Sequence, residues 1–226
     1  MFKILIISDI HADIENILNL LDKVKEYEFD LVICPGDLID INLPKGFTPK
    51  DIGKIIIEEL RTLKKPLLIA PGNMDSEILD LLEEEKISLH GNGVKFGDYG
   101  IYGFGGARTP FGTMLEPSEI EIENGLRKGF AKVEDAKYKI QVTHMPPART
   151  KVDILFSGAH VGSEAIRKFI EENKPILAIS SHIHEARGID KINNTVLINS
   201  GKFSEGYCGL VEIENGNVKA EILSLI

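Results

Sequence analysis

Three apolar runs in the first third of the chain limit its fold more than any other feature. Residues 2–8, Leu31–Cys34 and residues 66–70 are almost unbroken in Ile, Leu and Val, the pattern of strands buried on both faces. Between them the period changes. Asp13 precedes Ile14, Ile17, Leu18, Leu21 and Val24 at helical spacing, which predicts an Asp13-capped helix to about residue 27. Thr48-Pro49 supplies an N-cap and a first-turn proline for a second helix to about residue 63. A third is predicted over residues 75–85. Strand and helix in strict alternation predict a parallel sheet covered by helices.

The pattern then loosens. Residues 87–89, 94–96 and Tyr99–Phe104 read as short strands between glycine-bearing turns, followed by a loop over 105–117 and a weak helix over 118–133. Strands at 139–143 and 175–180 flank a helix at 164–172. The end is all strand: Thr195–Asn199, 207–213 and 218–225, with Asn215-Gly216 as a hairpin turn. No repeat or linker interrupts it. The expectation is one α/β domain spanning 1–226 with more than one sheet.

The residues just past each buried strand carry the chemistry. The runs end in Asp9-Ile10-His11, Gly36-Asp37, Gly72-Asn73, Thr143-His144 and Ser181-His182-Ile183-His184. In open α/β sheets ligands bind outside the carboxyl ends of the strands, and five strands here bring Asp, Asn or His to that edge. Residues i and i+2 of an extended chain point the same way, so Asp9 with His11, and His182 with His184, are expected to approach a common centre. Imidazole and carboxylate donors suit Mn, Fe, Zn, Co or Ni better than the all-oxygen sets of Mg or Ca. Seven donors exceed one tetrahedral site and suit two divalent ions sharing a carboxylate.

Composition narrows the partners. The formal charge is −9, from 35 acidic against 26 basic residues, which disfavours a broad nucleic-acid-coating face. A small phosphate ester, such as a nucleotide, remains compatible, because bound cations supply positive charge locally. There is no apolar run long enough for a membrane span, and the opening MFKILIISDIH reads as a strand rather than a signal peptide. Cys34 and Cys208 form no disulfide or metal pattern, which points to a reducing cytoplasm. A homo-oligomer is compatible with all of this.

The ordered set D-x-H, G-D, G-N-x-D, H and H-x-H, from Asp9 to Ser200, resembles the calcineurin-like metallophosphoesterases. His144-Met145-Pro146-Pro147, Gly158-Ala159-His160-Val161-Gly162-Ser163 and Ser181-His182-Ile183-His184-Glu185 are similar to an archaeal and bacterial branch of that family. The resemblance implies a four-layer α-β-β-α sandwich of two mixed sheets. It also implies one ion on Asp9, His11, Asp37 and His184, and another on Asp37, Asn73, His144 and His182. Asp37 would bridge them, and a hydroxide between the ions would attack the ester.

Two departures stand out. The family's G-N-H-D/E histidine, a helper of the leaving group, is Met74 here, and a thioether carries no proton. The glycine usual before H-x-H is Ser181, a change expected to be tolerated. His160 lies in a polar loop that topology brings near the metal edge, so it is a candidate catalytic and substrate-binding residue. Arg108, in a glycine-bearing loop, is either a solvated charge or a phosphate clamp. His90 reads as a surface turn residue, and Asp75 as a helix cap or a support for Asn73. The leading reading is a dinuclear metal-dependent phosphoesterase, a phosphodiesterase more than a phosphomonoesterase. The alternatives are a metal- or nucleotide-binding sensor with little catalysis, and a nuclease.

Overall fold

The computed structural model describes residues 1–226. The chain runs β1 (Phe2–Ile6), α1 (Ile14–Val24), β2 (Leu31–Cys34), α2 (Pro49–Arg61), β3 (Leu67–Ile69) and α3 (Leu79–Glu84). It continues with β4 (Asn92–Phe96), β5 (Tyr99–Phe104), α4 (Glu119–Ala131), β6 (Tyr138–Thr143), α5 (Glu164–Asn173) and β7 (Leu177–Ser180). The last strands are β8 (Gly188–Ile192), β9 (Thr195–Asn199), β10 (Tyr207–Glu214) and β11 (Asn217–Ser224). They form two mixed sheets, ordered β11-β10-β1-β2-β3 and β4-β5-β6-β7-β9-β8. In the first, β1, β2 and β3 are parallel while β10 and β11 are antiparallel. In the second, β5, β6, β7 and β9 are parallel, with antiparallel β4 and β8 at the edges.

The unbroken apolar runs are explained by burial on both faces. Within β1, Leu5 turns toward α1, α2 and α3, while Ile4 and Ile6 turn toward the second sheet, following the two-residue period of a strand. The same alternation in β2 sends Val32 and Cys34 outward, and Leu31 and Ile33 inward. Between the sheets, Ile4, Ile6 and Ile33 meet Ile140, Val142 and Ile179. On the far side, Ala178 and Leu197 pack under α4 and α5 with Ile122, Leu126, Ile166 and Phe169. The result is the four-layer α-β-β-α sandwich. Each fully buried aliphatic side chain contributes about 1.5–3 kcal/mol of transfer free energy.

Local signals hold at the helix starts. Asp13 accepts from the Asn16 N–H at 3.2 Å, and Thr48 with Asp51 and Ser118 with Glu121 form reciprocal capping boxes. Two expectations need correction, and one strand is unanticipated. Residues 87–89 form no strand, only a parallel bridge between Ile69 and Ser88. The third helix opens with a 3-10 turn, Ser76–Ile78, and Asp75 does not cap it. Strand β8 has no counterpart in the sequence reading; it is an edge strand whose charged Asp190 and Lys191 mask its pattern. No helix is long and apolar enough to cross a membrane.

Candidate metal centre

Both sheets contribute to one edge. Asp9 and His11 follow β1, Asp37 follows β2, and Asn73 follows β3, while His144 directly follows β6 and His182 and His184 follow β7. The backbone is not extended where these side chains turn inward. Asp9, His11, Asp37 and His182 have φ of +53°, +52°, +53° and +69°, a left-handed region that costs a non-glycine residue about 1–2 kcal/mol. The convergence of Asp9 and His11 therefore comes from strained turns, not from strand periodicity. Hydrogen bonds hold these turns together: Asp9 N–H donates to Gly36 O at 3.0 Å, and Ile10 and His11 N–H both donate to Asp37 O at 2.9 and 3.0 Å. Gly72 is required by contact. A Cβ there would lie 2.0 Å from Asp37 Oδ1.

Two groups of donors result, Asp9/His11/His184 and Asp37/His144/His182, the ligand atoms of each within 4.8 Å of one another. His182 and His184 thus lie in different groups, as the family resemblance implied, although their i, i+2 spacing alone suggested a common centre. Asp9 Oδ1 lies 3.2 Å from His184 Nε2 and 4.0 Å from His11 Nε2. Asp37 Oδ2 lies between the groups, 3.7 Å from His11 Nε2 and 3.4 Å from His144 Nε2. Asn73 Oδ1 is 3.0 Å from His144 Nε2. The outer nitrogens are anchored: His11 Nδ1 is 3.1 Å from Asp40 Oδ2, and His144 Nδ1 is 2.7 Å from Pro35 O and 3.0 Å from Ser181 Oγ. Such partners orient metal-ligating imidazoles.

The electrostatics are those of an acid–base cluster with its charges close together. Burial alone would raise the Asp37 carboxyl, but the charge and hydrogen bond of His144, then His11 and the Met74 N–H, bring it well below its ordinary value. Burial works against protonation of His144, yet Asp37 and Asp9 hold its imidazole up at about 9. Burial, reinforced by the charge of His144, pushes His182 down to about 4. For His184 burial is outweighed by Asp9, and the net direction is upward. Asp75 is wholly buried, and burial with the nearby Asp37 charge raises it to about 7.

The residues present suit divalent cations. Both Asp9 oxygens and His11 Nε2 are buried without a hydrogen-bond partner, and such orphans cost about 1–3 kcal/mol each, more when charged, unless something completes them. The mixed nitrogen and oxygen set could hold metal ions, and its chemistry suits transition metals.

Of the remaining candidates, Met74 is buried in the apolar cluster on the helix side of the first sheet, 7% exposed, and its N–H donates to Asp37 Oδ1 at 3.0 Å. Arg108 pairs with Glu119, whose other oxygen accepts from Ser163 Oγ and the Ala165 N–H at 2.7 and 2.6 Å. His160 belongs to neither donor group; its Nδ1 lies 2.7 Å from Asp153 Oδ1. His90 is not a free surface residue: it stacks on Phe104 at 4.2 Å, its Nδ1 accepts from the Gly105 N–H, and burial brings it down to about 4. Asp40, three residues beyond Asp37, escapes a sequence reading because one carboxylate among many carries no pattern.

Comparison with known proteins gives the family and the fold. Residues 2–186 match the calcineurin-like phosphoesterase family. An uncharacterized protein of Methanocaldococcus jannaschii is 36% identical over 205 residues, 87% of each chain. Among solved structures, TT1561 of Thermus thermophilus superimposes with a TM-score of 0.73 at 19% identity, over 97% of this chain and 98% of that one. A dimetal phosphatase from Danio rerio gives 0.60 at 10% identity, over 99% and 98%. With a family match over most of its length, the chain belongs to the calcineurin-like phosphoesterases.

Proposed function

We propose that the chain is a two-metal phosphoester hydrolase that favours diesters. The observation carrying this reading is the position of Asp37 Oδ2, 3.4 Å from His144 Nε2 in its own donor group and 3.7 Å from His11 Nε2 in the other. Asp9, His11, Asp37 and His184 would hold one divalent ion, and Asp37, Asn73, His144 and His182 the second. When bound, two such ions acidify water and neutralise charge on phosphoryl oxygens.

The chain's own residues do the positioning. Asp40 and Pro35 fix the rings of His11 and His144 through their outer nitrogens. Asn73 presents a neutral oxygen beside His144 and is a second candidate for touching the phosphate. Arg108 is held by Glu119 through one guanidinium nitrogen, and its remaining N–H groups are the ones free to meet a phosphate. A diester carries one negative charge fewer than a monoester dianion, which suits a site whose arginine is already paired. Small esters, nucleotides among them, are the expected substrates. The free, buried thiols of Cys34 and Cys208 fit a reducing cytoplasm.

The burial of Met74 favours a second reading, a sensor that keeps the ions and catalyses little. One experiment separates the two. The purified chain is loaded with Mn, Ni, Co, Fe or Zn, its metal content measured, and aryl phosphodiesters and monoesters assayed. Two ions per chain with metal-dependent diester turnover is expected. Stoichiometric metal with nucleotide binding and no turnover favours the sensor, and failure to take up metal overturns both.

A further inference from the structure

The loop between β6 and α5 contains a carboxylate–imidazole pair outside both donor groups. Asp153 is wholly buried, yet its carboxylate is saturated. Oδ1 accepts from Thr150 N–H at 2.7 Å, Thr150 Oγ1 at 3.2 Å and His160 Nδ1 at 2.7 Å. Oδ2 accepts from the Arg149 and Gly162 N–H groups, each at 3.0 Å. Burial alone would raise this carboxyl, but the donors outweigh it and hold it below the usual carboxylate range. An ionised acceptor makes His160 Nδ1 the donor. Nε2 is then the free nitrogen, on a side chain 40% exposed.

The loop is fastened to the metal-edge segment. Phe156 N–H donates to Glu185 Oε1 at 2.9 Å, beside His184, and Asn199 Nδ2 joins Ile183 O at 2.8 Å to Val152 O at 3.4 Å. Ile183 lies between the two histidines, and Val152 adjoins Asp153. The loop's base is closed by Ser163 N–H on Pro146 O at 2.9 Å, two residues from His144. A carboxylate that only shaped this loop would be satisfied by the backbone donors and Thr150. The imidazole adds an oriented, solvent-facing nitrogen.

We propose that Asp153 and His160 form a proton-donating dyad at this centre, with His160 protonating the leaving oxygen and Asp153 holding the imidazole in place. The proposal rests on the hydrolase reading above. In the step, a water oxygen forms the new P–O bond and releases a proton to solvent. The breaking P–O bond leaves its electron pair on the departing oxygen, which takes the proton from His160 Nε2. His160 is left neutral and regains a proton from solvent, so diester and water give alcohol and phosphomonoester. The dyad supplies what Met74 cannot.

The test is a leaving-group series. His160→Asn keeps an N–H for Asp153 and removes the acid. Across phosphodiesters from nitrophenyl to alkyl, its kcat/KM should fall by about 10²–10³ with alkyl groups and much less with nitrophenyl, within the usual worth of general acid catalysis. Asp153→Asn should give the same skew, and the double variant should add little to either, because the pair acts as a unit. A second readout needs no turnover: in the zinc-loaded protein, inorganic phosphate should shift the His160 side-chain ¹⁵N resonance. A uniform fall across the series, or phosphate that leaves His160 unshifted, overturns the dyad as catalyst. Absence of hydrolysis by the unsubstituted protein overturns the hydrolase reading and the dyad with it. Hydrolysis with an unchanged leaving-group slope in His160→Asn overturns the dyad alone.

Discussion

Replacing Asp75 should cost both stability and metal, although Asp75 belongs to neither donor group. Its Oδ1 accepts from the Leu38 and Ile39 N–H groups at 2.9 and 3.1 Å, and its Oδ2 from Gly72 N–H at 2.7 Å. It thus joins the turn carrying Asp37 to the turn carrying Asn73. Asp75→Ala strands three buried donors, each worth about 1–3 kcal/mol when unpaired. Release of a buried carboxylate offsets part of this, leaving about 3 kcal/mol. With a urea slope of ~3 kcal/mol/M for a chain of this size, the midpoint should fall by about 1 M. Asp75→Asn keeps one oxygen for Leu38 and Ile39 but turns an amide N–H₂ toward Gly72 N–H. One lost bond and one donor–donor contact should cost about 2 kcal/mol. Both variants should bind less metal by elemental analysis, since Asp37 and Asn73 lose their common tether. A midpoint within about 0.2 M of the parent for Asp75→Ala, with full metal content, would refute the reasoning.

His184→Ala should mainly weaken the ion held with Asp9 and His11, and His182→Ala mainly the other; equal loss of both ions in each variant, by metal titration, contradicts the separate grouping. Cation affinity should rise with pH, because a cation must displace the proton that Asp37 holds on His144. With that pKa raised from 6.5 to about 9, the affinity should gain up to about tenfold per pH unit across that window, measurable by calorimetry in paired buffers. The same shift means that metal-free protein keeps His144's contribution fully below 6.5 and loses it as pH rises through about 9. Met74→His would place an imidazole in an apolar cluster, so it should cost about 2 kcal/mol and leave the leaving-group slope unchanged; a flattened slope would show that position 74 does reach the substrate.

Those expectations rest on details of different legibility. The strands β1, β2 and β3 are readable because burial on both faces leaves Ile, Leu and Val uninterrupted, and their polar ends give away the site. β8 is not readable, since an edge strand needs no apolar face. That Asp9, His11, Asp37, Asn73, His144, His182 and His184 meet at one edge can be read from residue type and place. Their division between groups follows from the family resemblance but not from strand period, because left-handed turns at Asp9, His11 and His182 cancel the period on which a strand argument depends. Asp75 and Asp153 stay hidden for another reason. Their work is to accept backbone hydrogens from distant turns, and a backbone donor has no letter in a sequence.

The place of β1 in its sheet bears on how the protein is made. Phe2 pairs with Ile213 through β10, while Ile4 pairs with Leu31 through β2. One side of this strand is matched almost at once during synthesis, and the other only after most of the remaining chain has left the ribosome. At ~5–20 residues per second that interval is roughly 10–40 s. Throughout it, a strand apolar on both faces offers an unpaired edge to any passing chain. Nascent-chain lengths that stop short of Tyr207 should therefore depend most on chaperones, and release from them should coincide with the emergence of β10.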